Sequence, residues 1–165
     1  MGQQMRIMIV SDTHGKHVNL DRAVKESGKI DVMIHLGDVE GGEYYIDTVV
    51  NCEKHILGGN NDFFSKLPSE EVIYLGNKKV FITHGHRYLV SLGTEEVKRA
   101  GRTHGADIVM FGHTHCPHME SDEGMLVLNP GSLSYPRQEG REASYMIMEI
   151  DEEGKVSCEQ RYLKK

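Results

Sequence analysis

The sequence predicts an α/β domain in which sheets lie between helices, and three patterns carry that prediction. The first third alternates short apolar runs with amphipathic stretches in a β-α-β-α-β rhythm. A hairpin and a further helix follow. The tail alternates apolar and polar residues around a tight turn, as an antiparallel finish does, so the sheet content should be mixed. At 165 residues the chain suits one domain and can bury about 70% of the surface its unfolded form would expose. No repeat, low-complexity tract or linker composition interrupts it, so residues 1–165 are read as a single domain.

Each element has its own warrant. "MRIMIV" is almost wholly apolar and suits a strand over residues 6–10 that is buried on both faces. A helix follows, because Leu20, Ala23, Val24 and Ser27 fall at helical spacing and Gly28 is placed to end it. "DVMIHL", residues 31–36, is a second buried strand, residues 43–50 a second helix, and "KHIL", residues 54–57, a third strand. Residues 72–75 and 80–83 form a hairpin around "GNKK", whose Gly and Asn tolerate turn conformations. Thr94 is placed to cap the next helix, with Glu95 and Glu96 at its positive end, Val97, Ala100 and His104 on one face, and Gly105 at its close. Strands are expected at residues 108–111 and 125–128, then at "SYMIMEI" and "VSCEQRYL" about the turn "DEEGK".

Composition narrows the function. The formal charge is −6 and the cations are scattered, which argues against an extended nucleic-acid surface. No run approaches the roughly 18 apolar residues of a transmembrane helix, so no membrane is expected. "MGQQMRIMIV" lacks a signal-peptide layout, and Arg6 stands where myristoylation requires Ser or Thr. Three cysteines, Cys52, Cys116 and Cys158, have no pairing pattern and fit reduced thiols, so a cytoplasmic location is expected. The exposed face of the tail hairpin offers an edge for pairing with a second copy, a route to a homo-oligomer.

The chemistry lies just beyond the strands. "SDTHG" brings Asp12 and His14, "GDVEGG" brings Asp38, "GGNND" brings Asn60 and Asp62, "THGH" brings His84 and His86, and "GHTH" brings His113 and His115. Loops at the carboxyl ends of α/β strands converge, so these five segments should meet. Mixed imidazole and carboxylate ligands suit first-row divalent ions, and so many candidates are too many for one ion. Two cations are therefore expected, manganese foremost, with iron, zinc, nickel or cobalt accepted by the same ligands.

The ordered set D-x-H, GD, GN-x-D, HGH and GHTH resembles the calcineurin-like metallophosphoesterases, and within them the small bacterial and archaeal single-domain group. The likeness runs from Arg6 to about Tyr135. It implies a four-layer α/β/β/α sandwich around a dinuclear centre. By motif match, Asp12, His14 and His115 would hold the first metal and Asn60, His84 and His113 the second, with Asp38 bridging. Such a pair of ions lowers the pKa of a shared water and clamps the attacking and leaving oxygens at phosphorus. Hydrolysis of a phosphodiester or phosphomonoester by a bridging hydroxide is the expected reaction, with a small phosphate ester as substrate. Asp38, Asn60 and His86 are the expected catalytic residues. The segment "NPGSLSYPR" is similar to the family's "NPGS" loop, which implies phosphate contacts from Asn129, Gly131, Ser132 and Arg137.

One position departs from the family. Many members carry a histidine directly after the metal-binding Asn, and here Asn61 stands there. An amide has no titratable proton to give, so a general-acid contribution of roughly 10² to 10⁴-fold must come from elsewhere, with His86 and His17 the candidates and Asn61 left to contact substrate. Asp62 is expected to orient Asn60 or a nearby histidine. His35, His55, His104 and His118 have no ligand neighbours and are read as packed or exposed. Cys116 is read as a packed thiol, and Tyr44 and Tyr45 as either a rim to the pocket or a helix face. The alternative function is a protein-binding scaffold on the same fold. Such scaffolds lose metal histidines, whereas this chain keeps all seven ligand matches.

Overall fold

The computed structural model describes residues 4–63 and 65–164; residues 1–3, part of the opening stretch read above for targeting signals, lie outside that range. Strand β1 (Met5–Val10), helix α1 (Val18–Ser27), β2 (Val32–His35), α2 (Glu43–Val49) and β3 (Glu53–Ile56) realise the opening rhythm. Then come β4 (Glu70–Leu75), β5 (Lys78–Thr83), a 3-10 turn at His86–Tyr88, α3 (Glu95–Thr103), β6 (Ile108–Met110), β7 (Pro117–Asp122), β8 (Met125–Pro130), β9 (Ser144–Ile150) and β10 (Val156–Tyr162).

The strands build two sheets, ordered β10-β9-β1-β2-β3 and β4-β5-β6-β8-β7. In the first, β1, β2 and β3 are parallel and the β9-β10 hairpin is added antiparallel to β1. In the second, β5, β6 and β8 are parallel, with β4 and β7 antiparallel at the edges. The period of two along each strand divides the apolar side chains between layers. Ile7 and Ile9 of β1 face a core between the sheets, with Ile34, Val80, Ile82, Met110 and Leu128. Met8 and Val10 face outward onto Leu20 and Ala23 of α1 and Ile46 of α2. On the far side Phe81, Val109 and Val127 pack against Val97 of α3. The result is the four-layer α/β/β/α sandwich, and each fully buried aliphatic side chain in it contributes roughly 1.5–3 kcal/mol.

Three local expectations change. The hairpin turn is tighter than "GNKK": Lys78 and Lys79 already pair with Leu75 and Tyr74, and Gly76 takes φ +61° to close it. Thr94 occupies the N-cap of α3, but its hydroxyl donates to Glu120 Oε1 at 3.0 Å instead of accepting from the helix. Strand β7 was not foreseen. "PHMESD" is polar and begins with proline, and it pairs only with β8 at the sheet edge, where an N–H can be spared.

Candidate metal centre

The loops after six parallel strands of the two sheets meet at one end of the sandwich. Asp12 and His14 follow β1, Asp38 follows β2, Asn60 follows β3, His84 follows β5, His113 and His115 follow β6, and Asn129 ends β8. The turns are sharp. Asp12, His14, Asp38, His113 and His115 all have positive φ, between +50° and +72°, a region that costs a non-glycine residue about 1 kcal/mol or more and that clusters at functional sites. The glycines beside them make room: a Cβ at Gly59 would collide with Asp38 Oδ1, and one at Gly112 with Ser11 Oγ.

All seven expected ligands come together, in two clusters that share Asp38. Asp12, His14, Asp38 and His115 form the first, and Asp38, His84 and His113 the second, with one donor atom from each residue within 4.8 Å of the others. In the first, His14 Nε2 stands 3.2 Å from His115 Nε2, which is 3.4 Å from Asp12 Oδ1. In the second, Asn60 Oδ1 lies 3.0 Å from His84 Nε2 and 3.1 Å from His113 Nδ1, and His84 Nε2 lies 3.3 Å from Asp38 Oδ2. Donors that sit about 2.0–2.2 Å from one ion are roughly 3.0–3.5 Å apart, so these gaps fit divalent cations. Asp12 Oδ1 is fully buried and has no hydrogen-bond partner, a cost of several kcal/mol unless a cation meets it. The donor set and this orphaned oxygen together fit metal binding.

Electrostatics point the same way. Burial alone would raise the Asp12 pKa, but the imidazoles of His115 and His84 and the Ser11 hydroxyl bring it below the usual carboxylate value. Burial also opposes ionisation of Asp38, and its contacts with His84, Asn61 and His14 hold it well below that range. His84 is the counterpart: burial depresses it, and Asp38 and Asp12 raise it overall. His113 and His86 are pushed down, by burial first and then by the neighbouring imidazoles.

The outer contacts fix the ligands. His84 Nδ1 donates to Leu36 O at 2.7 Å and His115 Nδ1 to Tyr135 O at 2.8 Å, which leaves each Nε2 facing the cluster. His14 Nδ1 is held by Glu40 Oε1 at 3.2 Å, a carboxylate that sequence reasoning missed although it lies two residues past Asp38 in the same loop. Asp62 has a different task from the one expected. Its carboxylate accepts backbone N–H bonds from Asp38, Val39, Glu40 and Gly59, so it pins the Asp38 loop to the Asn60 loop. His35, given no role, is buried, its ring contacts Thr13 Oγ1 and the Gly37 N–H, and burial lowers its pKa to about 4, so it packs as a neutral ring.

Substrate contacts change more. Asn129 and Ser132 are fully buried. Asn129 Nδ2 donates to Gly112 O and Thr114 Oγ1, and Ser132 Oγ donates to Asp12 O while accepting the N–H groups of Ser134 and Tyr135. The Gly131 N–H is spent on Asn129 Oδ1. These three residues brace the ligand loops instead of facing a substrate. Asn61 is likewise occupied, its N–H and Nδ2 donating to Asp38 Oδ1 and Oδ2 at 2.9 and 3.1 Å. His17 precedes α1 at its N-cap position and stacks on Tyr45, and it is in neither cluster. His86 remains beside the second cluster, 5.4 Å from His84 and 6.1 Å from His113 between ring centroids, with Nδ1 buried and without a partner. Arg137 is exposed in a groove that begins at His14 and His115.

The two-sheet sandwich with its ligand loops is a phosphoesterase-type fold. A conserved Streptococcus pneumoniae protein described as a predicted phosphoesterase superposes with TM-score 0.80 at 26% identity, covering 99% of this chain and 100% of that one. Vps29 of Entamoeba histolytica, in complex with Zn²⁺, superposes at 0.75 with 28% identity over 96% of this chain and 99% of its own. In sequence, Bacillus subtilis YsnB, named a probable metallophosphoesterase, is 32% identical over 89% of this chain and 85% of its length. Methanocaldococcus jannaschii phosphodiesterase MJ0936 is 30% identical over 77% of this chain and 83% of its length. Residues 5–153 match the calcineurin-like phosphoesterase superfamily domain, and the chain belongs to that family.

Proposed function

We propose that this chain hydrolyses phosphoesters, phosphodiesters before phosphomonoesters, with two divalent cations held by the two clusters and manganese the foremost. The observation that carries the reading is the convergence of seven ligand side chains into two clusters sharing Asp38. Its relatives' names, metallophosphoesterase and phosphodiesterase, support it. When bound, such cations supply Lewis acidity and make hydroxide available at neutral pH. The chain does the rest. Asp38 spans the clusters, Glu40 and the Leu36 and Tyr135 carbonyls aim the imidazoles, Asp62 locks two ligand loops, and Arg137 reaches toward phosphate oxygens. His86 donates to the leaving oxygen, the part that Asn61 cannot play.

A panel of phosphomono- and phosphodiesters, tested on protein reloaded with each metal in turn, decides reaction class and cofactor together. Rates should rise steeply with leaving-group acidity, so that aryl diesters outrun alkyl ones, and His86→Asn should steepen that slope. A flat profile in the unaltered chain overturns the expectation drawn from Asn61, and a slope that His86→Asn leaves unchanged overturns the role given to His86. The likeness to Vps29 keeps a second reading open to test, a protein-binding scaffold. Asp38→Asn separates the two: hydrolysis should vanish in a chain that keeps its fold, whereas a scaffold loses nothing. Among the described residues no helix is long and apolar enough to cross a membrane, and the three cysteines are free, which supports a cytoplasmic enzyme.

A further inference from the structure

Resting on that hydrolytic reading, we infer that the groove beside the first cluster selects phosphoesters whose non-reacting part carries a second phosphoryl group. The groove encloses about 480 Å³ and runs from His14, Glu40 and His115, past Tyr135, to Arg137 and Arg141, so its lining carries two guanidinium groups and one carboxylate, the one that holds the His14 ring. A phosphorus centred at the ligands therefore sends one substituent along this wall. Lys16 adds a third cation, its Nζ 4.5 Å above the Tyr135 ring. Among the described residues, Lys16, Arg137 and Arg141 make no ion pair, and no hydrogen bond engages their side chains. Glu139 and Glu142 flank Arg141 in sequence and pair with neither arginine.

Unpaired lysines occur elsewhere on the surface; what distinguishes these cations is their place. The Arg137 N–H donates to His115 O at 3.0 Å, which ties the arginine to a ligand loop. Arg141 holds φ +46°, a costly conformation for a non-glycine residue, in a turn closed by its N–H to Gln138 O. In a chain of net charge −6, the two guanidinium groups of this groove, with Lys16 over the Tyr135 ring, outnumber its one carboxylate, Glu40, and favour an anion there. The guanidinium fork suits phosphoryl oxygens. On the other side of Glu40 lies a groove of about 680 Å³ lined by Glu43, Asp47 and Asp62 against Lys66 alone, which turns an anionic substituent away. The two walls thus set the direction in which a substrate lies.

Calorimetric titration of manganese-loaded protein with pyrophosphate and with inorganic phosphate tests the inference without turnover. Pyrophosphate should bind at least about tenfold more tightly, the scale of one charge-assisted contact. Arg141→Gln should remove most of that advantage, Arg141→Lys should keep part of it, and added salt should shrink it. A preference that survives Arg141→Gln undiminished, or no preference at all, overturns the inference. In parallel, two p-nitrophenyl phosphodiesters that differ only in a terminal phosphate or hydroxyl on the non-reacting group should differ in kcat/KM by a similar factor, lost with Arg141→Gln. If neither is hydrolysed while the Arg141-dependent preference for pyrophosphate persists, the hydrolytic reading fails and the anion subsite stands.

Discussion

The two ligand clusters share a carboxylate yet differ in charge. Around Asp38, the first adds Asp12 and a Glu40-backed His14 to His115, whereas the second adds only Asn60 and two imidazoles. Two carboxylates against one, with a third behind, make the first cluster the stronger trap for a cation. The second, with the neutral Asn60 amide in place of a carboxylate, would hold a cation more loosely. On the proposed two-cation reading, the two clusters would therefore not treat their ions alike, although Asp38 belongs to both.

The widest break in that comparison is at the shared residue. Asp38→Asn should strip both clusters and lower hydrolysis by more than about a hundredfold, beyond the roughly 10–100-fold range of outer contacts. Metal analysis after dialysis, beside turnover of an aryl diester, reads both effects. Asn60→Asp should invert the asymmetry: a new carboxylate a few Å from the ion, at an effective dielectric of about 20, tightens the second cluster at least about tenfold. Competitive metal titration checks it, and an unchanged second dissociation constant would show that charge does not set the difference. Glu40→Gln should weaken only the first cluster, by roughly tenfold, because His14 loses an anionic anchor but keeps its position in the loop. Equal weakening of both would show that Glu40 acts on the loop and not on the imidazole.

The smallest effect lies away from both. Glu120 accepts a hydrogen bond from His118 and pairs with Lys98, and these partners hold its pKa down to about 2. A carboxyl depressed on folding adds stability that is present above its unfolded value near 4.5 and is lost as pH falls toward 2. Glu120→Gln should flatten the acid limb of the urea midpoint between those limits and leave metal affinity unchanged in both clusters.

Most of the frame was legible because its signals are local. β1 and β2 announce themselves as apolar runs, and the motifs sit directly behind their strands, so the seven side chains that gather at one end of the sandwich could be named from order and spacing. What escaped depends on pairing and burial. β7 has a polar sequence and exists because β8 offers it an edge. Asn129 and Ser132 look like substrate contacts in one dimension, but the β8 and β6 loops close over them and turn their polar atoms inward. Glu40 and Asp62 show the same limit: a carboxylate in a ligand loop is visible, while its choice between an imidazole and a set of backbone amides is made by the fold.

The left-handed backbone at Asp12, His14, Asp38, His113 and His115 puts robustness and chemistry in competition at the same positions. Glycine would relax each turn and harden the chain against heat, yet every such exchange deletes a donor side chain. Attempts to raise the melting temperature should therefore look to the cores between and outside the sheets, because the spring coiled at the rim cannot be released without disarming it.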